Sequence, residues 1–111
     1  MTGIYPAGHV GAVTFAVLAE PHRRRLLEVL REGERPVGEL VEELGISQPA
    51  VSKHLRVLRE AGLVDVRPDA QRRLYRVLPG PLAEIDDWIA PFRRLWADSL
   101  DRLDAHLEEH P

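Results

Sequence analysis

Apolar residues follow a helical period through the first half of the chain. A small apolar run over residues 10–19 predicts a helix that other elements cover on more than one side. A second helix is predicted from Pro21, and a short third helix from Pro36 to a stop at Gly45. Residues 1–9, which contain glycine and proline, are expected to form a flexible N-terminus. The residues predicted to face inward on the second and third helices are Leu26, Leu27, Leu30, Val37, Leu40, Val41 and Leu44.

The fourth predicted helix, residues 47–61, has the best-defined ends. Ser47 is a strong N-cap residue, and Pro49 lies in the first turn, where its missing N–H costs little. Gly62 supplies the left-handed residue that ends such a helix. The apolar stripe consists of Val51, Leu55 and Leu58. The opposite face carries hydrogen-bonding and cationic residues and no carboxylate: Gln48, Ser52, Lys53 and Arg56.

The third and fourth helices are joined by a turn of about three residues that contains glycine, which is the helix-turn-helix pattern. The hydrophobic period then changes to two. Residues 63–67 predict a strand, residues 68–71 a turn, and residues 72–78 the antiparallel partner strand. A basic hairpin directly after such a helix indicates a wing, here over residues 64–77. The arginines of this hairpin are Arg67, Arg72, Arg73 and Arg76.

A last helix is predicted from the break at residues 79–81 to the end of the chain. Its apolar residues keep three- and four-residue spacing over roughly 40 Å, longer than the core of one small domain needs. We therefore predict that a second copy covers this face, giving a homodimer to which the first helix contributes. Pro91 is expected to kink or divide the helix near Ala90. The predicted interface residues are Val13, Val17, Ile85, Ile89, Phe92, Trp96, Leu100 and Leu103.

These elements predict a mainly α fold with a small β-hairpin, a winged helix-turn-helix with N- and C-terminal dimerisation helices. Residues 10–80 would form the DNA-binding part, and residues 81–111 the C-terminal dimerisation helix of the same single domain. The length of 111 residues and the 44% hydrophobic content fit one globular domain.

Composition excludes several classes of function. The chain has no cysteine, which excludes a disulfide framework, a thiol nucleophile and a thiolate metal site. No apolar run approaches the roughly 20 residues of a membrane span, and the N-terminus lacks the pattern of a signal peptide. We therefore expect a cytoplasmic protein with no membrane partner.

The net charge of −3 conceals an uneven distribution. Residues 47–76 carry seven Lys or Arg against three Asp or Glu, whereas residues 77–111 carry three Arg against eight Asp or Glu. Phosphate binding depends on the local field, so the middle of the chain can bind DNA while the acidic tail faces elsewhere.

The polar face of the fourth helix has the chemistry needed to read base edges in the major groove. Glutamine pairs with adenine, lysine with guanine, and serine with several edges. The alternative interpretation of this polar face is an ordinary solvated helix surface. The alternative interpretation of the basic residues is that they increase solubility. The predicted base contacts are Gln48, Pro49, Ser52 and Lys53. The predicted contacts to the DNA backbone are Ser47, Arg56, Arg72 and Arg73.

Two further groups have structural interpretations. Arg23, Arg24 and Arg25 cannot all face DNA, because consecutive helical residues point about 100° apart. One of them is expected to reach a phosphate or an intramolecular carboxylate. His54 lies between the apolar and polar faces of its helix, and we expect it to pack or hydrogen-bond within the domain rather than bind a base.

Two features of the last helix leave alternatives open. His106 and His110 fit the H-x-x-E-H zinc-peptidase pattern, but they lie at the C-terminus without a cleft or a third ligand. Catalysis is not expected there, while adventitious or regulatory metal binding stays an alternative. Trp88, Phe92 and Trp96 form an aromatic stripe, interpreted as dimer core or as a pocket for an unidentified small-molecule effector. We predict no enzyme, cofactor or metal.

The chain resembles the ArsR-type winged helix-turn-helix repressors in several stretches. F-A-V-L-A-E-P-H-R-R-R-L-L-E-V-L at 15–30 is similar to the start of the family pattern, and G-I-S-Q-P-A-V-S-K-H-L-R-V-L-R-E-A-G-L-V at 45–64 to its DNA-reading unit. R-R-L-Y-R-V at 72–77 resembles its second wing strand. The tail at 87–107 is similar to that of a cysteine-free, non-thiolate subgroup.

This resemblance implies a homodimeric repressor that binds a pseudo-palindromic operator through recognition helix 47–61 and wing 64–77. Two recognition helices would enter major grooves about 34–36 Å apart. The family's metal-responsive members carry a cysteine pair where this chain has residues 36–38, and Asp104 and His106 match half of a second family site. The alternative function is a winged-helix protein-interaction module without DNA binding.

Overall fold

The structure, a computed structural model, describes residues 7–109, with side chains over residues 12–107. This part of the chain is mainly helical with a small antiparallel sheet, and it confirms the predicted winged helix-turn-helix arrangement. In chain order the elements are α1 (Ala7–Leu18), α2 (Pro21–Leu30), β1 (Arg35–Pro36), α3 (Val37–Leu44), α4 (Gln48–Glu60), β2 (Val64–Asp69), β3 (Arg72–Val77) and α5 (Gly80–Glu109).

The core lies where α2, α3 and α4 meet, beneath the start of the sheet. Leu26, Leu40 and Leu58 are fully buried there, and Leu55 is 1% exposed. Burying a leucine side chain contributes about 1.5–3 kcal/mol, so these residues hold the three helices together. The inward residues predicted on α2 are buried, while on α3 only Leu40 is. The other predicted α3 residues pack half-buried against this core: Val37, Val41 and Leu44.

Both ends of α4 are fixed by local hydrogen bonds, as predicted. The Ser47 hydroxyl oxygen accepts from the N–H of Ala50 at 3.3 Å. Gly62 has φ +74°, and the N–H of Leu63 donates to the Leu58 carbonyl at 2.9 Å. This is the Schellman closure, in which a left-handed glycine lets the chain reverse and satisfy the last carbonyls.

The sheet has three strands rather than the two of the predicted hairpin. β3 is central, β2 pairs with it on one side, and the two residues of β1 pair on the other, with Arg35 opposite Tyr75. A two-residue strand directly before a helix has no hydrophobic period, so the sequence pattern could not show it. The first hairpin strand continues to Asp69, two residues beyond its predicted end, which shortens the turn to Ala70 and Gln71, while the second ends at Val77, one residue before its predicted end.

The structure revises two expectations about the terminal helices, the start of α1 and the division of α5 near Ala90. α1 begins at Ala7, so residues 7–9 are helical, and one interior glycine costs only about 1 kcal/mol. Residues 1–6 lie outside the described part of the chain. α5 continues undivided through Pro91. A proline removes one backbone hydrogen bond, whereas dividing the helix would leave a full set of terminal groups unpaired on each side.

We predict that Ala70→Gly stabilises the wing. Ala70 has φ +57°, a left-handed conformation that costs a residue with a Cβ roughly 1–2 kcal/mol. Glycine removes that strain but loses more entropy on folding, so we expect a net gain of about 0.5–1 kcal/mol in the free energy of unfolding, measured with urea. The control is Ala83→Gly on α5, which has helical backbone and should destabilise. A loss of stability in Ala70→Gly would contradict the strain argument.

Candidate nucleic-acid interface

The rotational setting of α4 places its polar residues on the surface. Val51, Leu55 and Leu58 are at most 1% exposed, which locks the opposite side of the helix into the core. Four-residue spacing aligns Gln48 with Ser52 and Pro49 with Lys53, and all four predicted base-contact residues are exposed. These are Gln48, Pro49, Ser52 and Lys53.

Two cations of α4, Lys53 and Arg56, have no carboxylate partner among the described side chains. Among the described residues, neither Lys53 nor Arg56 makes an ion pair or a side-chain hydrogen bond, and both are exposed. A cation without a protein counter-ion is available to a phosphate or a base edge. Ser47 uses its hydroxyl oxygen as the helix cap, but its hydroxyl proton remains able to donate.

The arginines of the wing differ in how they are paired. Arg72 forms an ion pair with Asp69 at 3.0 Å, and Arg76 pairs across the strands with Asp65 at 3.2 Å. Arg73 is exposed and has no ion-pair partner among the described side chains of residues 12–107. The predicted wing contacts Arg72 and Arg73 are therefore not equivalent, because Arg72 has to share its charge with Asp69.

An ion pair between residues far apart in the chain connects the wing strand β2 to the segment between α2 and β1. The Arg67 guanidinium donates two hydrogen bonds to the Glu34 carboxylate, at 2.8 and 2.9 Å. These hydrogen bonds lower the pKa of Glu34 below its usual value and raise the pKa of Arg67. No local sequence pattern predicts this contact, because Glu34 and Arg67 are 33 residues apart in the chain.

The three consecutive arginines of α2 are used within the protein. Arg25 reaches carboxylates on α2 and α3, each at 3.5 Å, which confirms the predicted intramolecular carboxylate contact. Arg23 and Arg24 donate instead to the carbonyls of Val17 and Leu18, at 3.2 and 2.7 Å. They satisfy carbonyls at the end of α1 that would otherwise lack an intrahelical donor.

His54 has the structural role that was predicted. Its side chain is 16% exposed, and its Nδ1 accepts from the Nε of Arg23 at 3.4 Å. Burial is the main cause that lowers the pKa of His54 below 6.5, against the opposing attraction of Glu20, so the ring is neutral at pH 7. His54 therefore belongs to the interior side of α4.

An apolar face runs along α1 and α5. Of the predicted interface residues, Val13, Phe92, Trp96, Leu100 and Leu103 are 43–61% exposed. Ile85 and Ile89 are half-buried. Val17 is 7% exposed and packs in the core of the protomer. It therefore has little surface area that a second copy could contact.

The face also includes residues outside the predicted interface set. Phe15 packs edge-on against Trp88 with ring centroids 5.5 Å apart, and Trp88, predicted as part of the aromatic stripe, lies 5.0 Å from the Phe92 ring. Leu95 and Leu107 are each 56% exposed. The exposed apolar surface of α1 and α5 is therefore wider than the predicted interface set. We call these nine exposed residues the α1–α5 face: Val13, Phe15, Trp88, Phe92, Leu95, Trp96, Leu100, Leu103 and Leu107.

The remaining candidates of the last helix are only partly described. Asp104 and His106 are exposed on α5, while His110 lies outside the described residues. Over the described helices, none is long and apolar enough to cross a membrane.

The fold defines a class of protein, since a helix-turn-helix followed by a basic hairpin is a winged helix-turn-helix. Residues 20–66 match the family described as bacterial regulatory protein, arsR family. A probable mercury resistance operon repressor of Streptomyces lividans is 40% identical over 90 residues, covering 81% of this chain and 70% of the relative. The chain belongs to the ArsR family of bacterial regulatory proteins.

Other similarities agree with this assignment. An HTH-type transcriptional regulator of Mycobacterium tuberculosis is 47% identical over 68 residues, covering 61% of this chain and 64% of the relative, slightly under two thirds of its length. The solution structure of a homodimeric winged helix-turn-helix DNA-binding domain from Mycobacterium bovis, a possible ArsR-family regulator, matches with TM-score 0.60 and 30% identity, covering 89% of this chain and 82% of that chain. The family is regulatory rather than enzymatic, as predicted, and the absence of cysteine is consistent with the cysteine-free subgroup.

We predict that the Glu34–Arg67 ion pair makes wing stability depend on pH. The pKa of Glu34 is lower in the folded state than its ordinary value of 4.5, so its contribution is present above that value and is lost as the pH falls through the folded pKa. Glu34→Gln should therefore lower the free energy of unfolding at pH 7, with the difference from wild type shrinking as the pH falls below 4.5 and through the lowered pKa. Urea unfolding over a series of pH values from 7 downward measures this effect.

The matched control for this prediction is Glu42→Gln. Glu42 is an exposed carboxylate on α3 without an ion pair among the described side chains. Its variant should show no comparable pH-dependent difference. Equal stability of Glu34→Gln and wild type at pH 7 would mean that the ion pair does not brace the wing.

Proposed function

We propose that the protein is a homodimeric transcriptional repressor that binds a pseudo-palindromic operator through α4 and the β2–β3 wing. The observation that carries this proposal is the outward face of α4, where exposed hydrogen-bonding side chains and cations without carboxylate partners lie opposite a fully buried stripe. Family membership supports it, and the similarity to a probable operon repressor of Streptomyces lividans favours repression as the sign of regulation.

The proposed base contacts are the residues at the N-terminal end of α4. Gln48 and Ser52 offer hydrogen bonds, Lys53 offers a cation for guanine, and Pro49 offers an apolar contact. Four-residue spacing puts Gln48 and Ser52 one above the other, with Pro49 and Lys53 beside them. The four side chains therefore form one compact reading surface.

The proposed phosphate contacts surround this surface. Arg56 lies one turn beyond Ser52 on α4, and Ser47 lies at the start of the helix, where the helix dipole also favours an anion. On the wing, Arg73 is the stronger candidate, because Arg72 is held by Asp69 at 3.0 Å. Such contacts position the protein on DNA without reading sequence.

The proposed second partner is another copy of this chain, covering the α1–α5 face. Helix α5 has 30 residues, about 45 Å, and its exposed leucines and tryptophan stand at three- and four-residue spacing. The Mycobacterium bovis domain is described as homodimeric. Pairing through this face would present two α4 helices to successive major grooves, the geometry a pseudo-palindrome requires.

We also propose that residues 10–80 form the DNA-binding part and residues 81–111 the dimerisation helix of a single domain. Such a regulator acts where the bacterial chromosome is, which favours the cytoplasm. A winged-helix protein-interaction module is the other candidate, and it would show no salt-dependent affinity for duplex DNA.

Substitutions on α4 and on the wing should affect DNA binding differently. Lys53→Ala and Gln48→Ala should each weaken binding to DNA from the protein's own upstream region by about 1–3 kcal/mol and relax specificity. Arg73→Ala should weaken binding to all sequences alike and reduce the salt slope by about one. Fluorescence anisotropy with specific and scrambled duplexes at several salt concentrations measures both effects.

The control for these variants is Arg31→Ala, which removes one exposed cation from the C-terminal end of α2, outside the proposed contact residues. It tests whether any loss of positive charge weakens binding. If Lys53→Ala and Gln48→Ala both bind the upstream DNA as tightly as wild type, the assigned reading surface is wrong.

The dimer is tested by placing a charge on the α1–α5 face. Leu100 is 61% exposed in the protomer, so Leu100→Asp should leave the fold intact while burying a carboxylate in the interface. Sedimentation at micromolar concentration should then show a monomer, with weaker operator binding. Ala105→Asp adds the same charge on the opposite side of α5 and should remain dimeric. A dimeric Leu100→Asp would refute this interface.

A further inference from the structure

Three potential metal ligands meet where the start of α2 packs against α4. They are Glu20, His22 and His54, and one ligand atom from each lies within 4.8 Å of the other two. His22 Nδ1 is 3.3 Å from one Glu20 carboxylate oxygen, and His54 Nε2 is 3.8 Å from the other. The side chains of Glu20 and His22 are 30% and 45% exposed, so an ion in solvent can reach them.

The local structure already holds these side chains in place. Glu20 is the N-cap of α2, and its carboxylate accepts from the N–H of Arg23 at 3.2 Å. His22 follows in the first turn of the same helix. His54 is fixed from the other side, because the neighbouring Leu55 is buried in the core. The three groups therefore approach from two elements that pack together rather than from one mobile segment.

We propose that Glu20, His22 and His54 form a binding site for a divalent transition-metal ion of the Zn²⁺ type. Two imidazoles and one carboxylate are a ligand set that zinc uses, with water in the fourth position. Metal–ligand bonds of about 2.0–2.1 Å in a tetrahedral site place ligand atoms roughly 3.3 Å apart. The separations of 3.3 and 3.8 Å are close to this value, and because each histidine faces a different Glu20 oxygen, the carboxylate would bind the ion through both oxygens.

Metal binding requires one rearrangement. His54 Nδ1 accepts a hydrogen bond from the Arg23 Nε at 3.4 Å. Coordination through Nε2 leaves the ring proton on Nδ1, so Arg23 has to release that nitrogen. Its contact with the Val17 carbonyl at 3.2 Å can remain. The positive charges of Arg23 and Lys53 repel a bound cation, and the negative charge of the Glu20 carboxylate attracts it.

The proposed site differs from the two family sites to which the chain was compared. It uses neither residues 36–38 nor Asp104 and His106. It joins the N-terminal end of α2 to α4, beside Lys53. A bound ion would therefore cross-link the two helices that carry most of the core, and thermal stability should rise with metal concentration.

The experiment uses the full chain with H9Q, H106Q and H110Q, which leaves His22 and His54 as the only histidines. Calorimetric titration with Zn²⁺ should give one ion per protomer, and Co²⁺ should give the visible absorption of a tetrahedral site. In this background, His22→Gln and Glu20→Gln should each weaken Zn²⁺ binding at least about tenfold, because each removes or weakens a ligand. Glutamine at position 20 keeps an oxygen for the helix cap.

Two results would overturn the proposal. One is a folded background protein that takes up no Zn²⁺ and shows no rise in melting temperature with added metal. The other is unchanged Zn²⁺ affinity in both His22→Gln and Glu20→Gln, which would place the ion elsewhere. Neither result depends on DNA binding, so this proposal and the proposed repressor function can fail separately.

Discussion

The burial of one side of α4 is the constraint on which the rest of the structure depends. Val51, Leu55 and Leu58 allow the helix one rotational setting, and turning it would expose them at a cost of about 1.5–3 kcal/mol for each side chain. The Ser47 cap and the Gly62 closure fix where the helix starts and ends. The polar face is outward because the apolar face cannot be, so packing alone determines which residues reach solvent.

Ion pairing then divides the basic residues by role. Arg25, Arg67, Arg72 and Arg76 are tied to carboxylates, while Lys53, Arg56 and Arg73 have none among the described side chains. The ion-paired arginines connect the strands of the wing and the neighbouring helices α2 and α3. The others leave a positive field around α4 and the wing tip. This division explains how a chain of net charge −3 can present a surface suited to phosphates.

Sequence reasoning succeeded where the signal is local. The cap at Ser47, the left-handed Gly62 and the helical period of α4 each depend on neighbouring residues, and all were predictable. It failed for β1, for the Glu34–Arg67 pair and for the cluster that includes Glu20 and His54, since these contacts join residues far apart in the chain. The helix-breaking tendency of proline also predicted a possible division of α5 that does not occur. Tertiary contacts therefore account for the first three misses, whereas the fourth arose from a local rule.

Arg23 connects the parts of the protomer that would face two different partners. One guanidinium nitrogen holds the Val17 carbonyl at the end of α1, and another donates to His54 on α4. α1 carries Phe15 of the apolar face, and α4 carries the proposed reading surface. In the proposed dimer, pairing of the α1–α5 faces sets the distance between the two α4 helices, and the Arg23 contacts limit how far α4 can move relative to α1. The spacing of the operator half-sites is therefore a property of the protomer interior as well as of the interface.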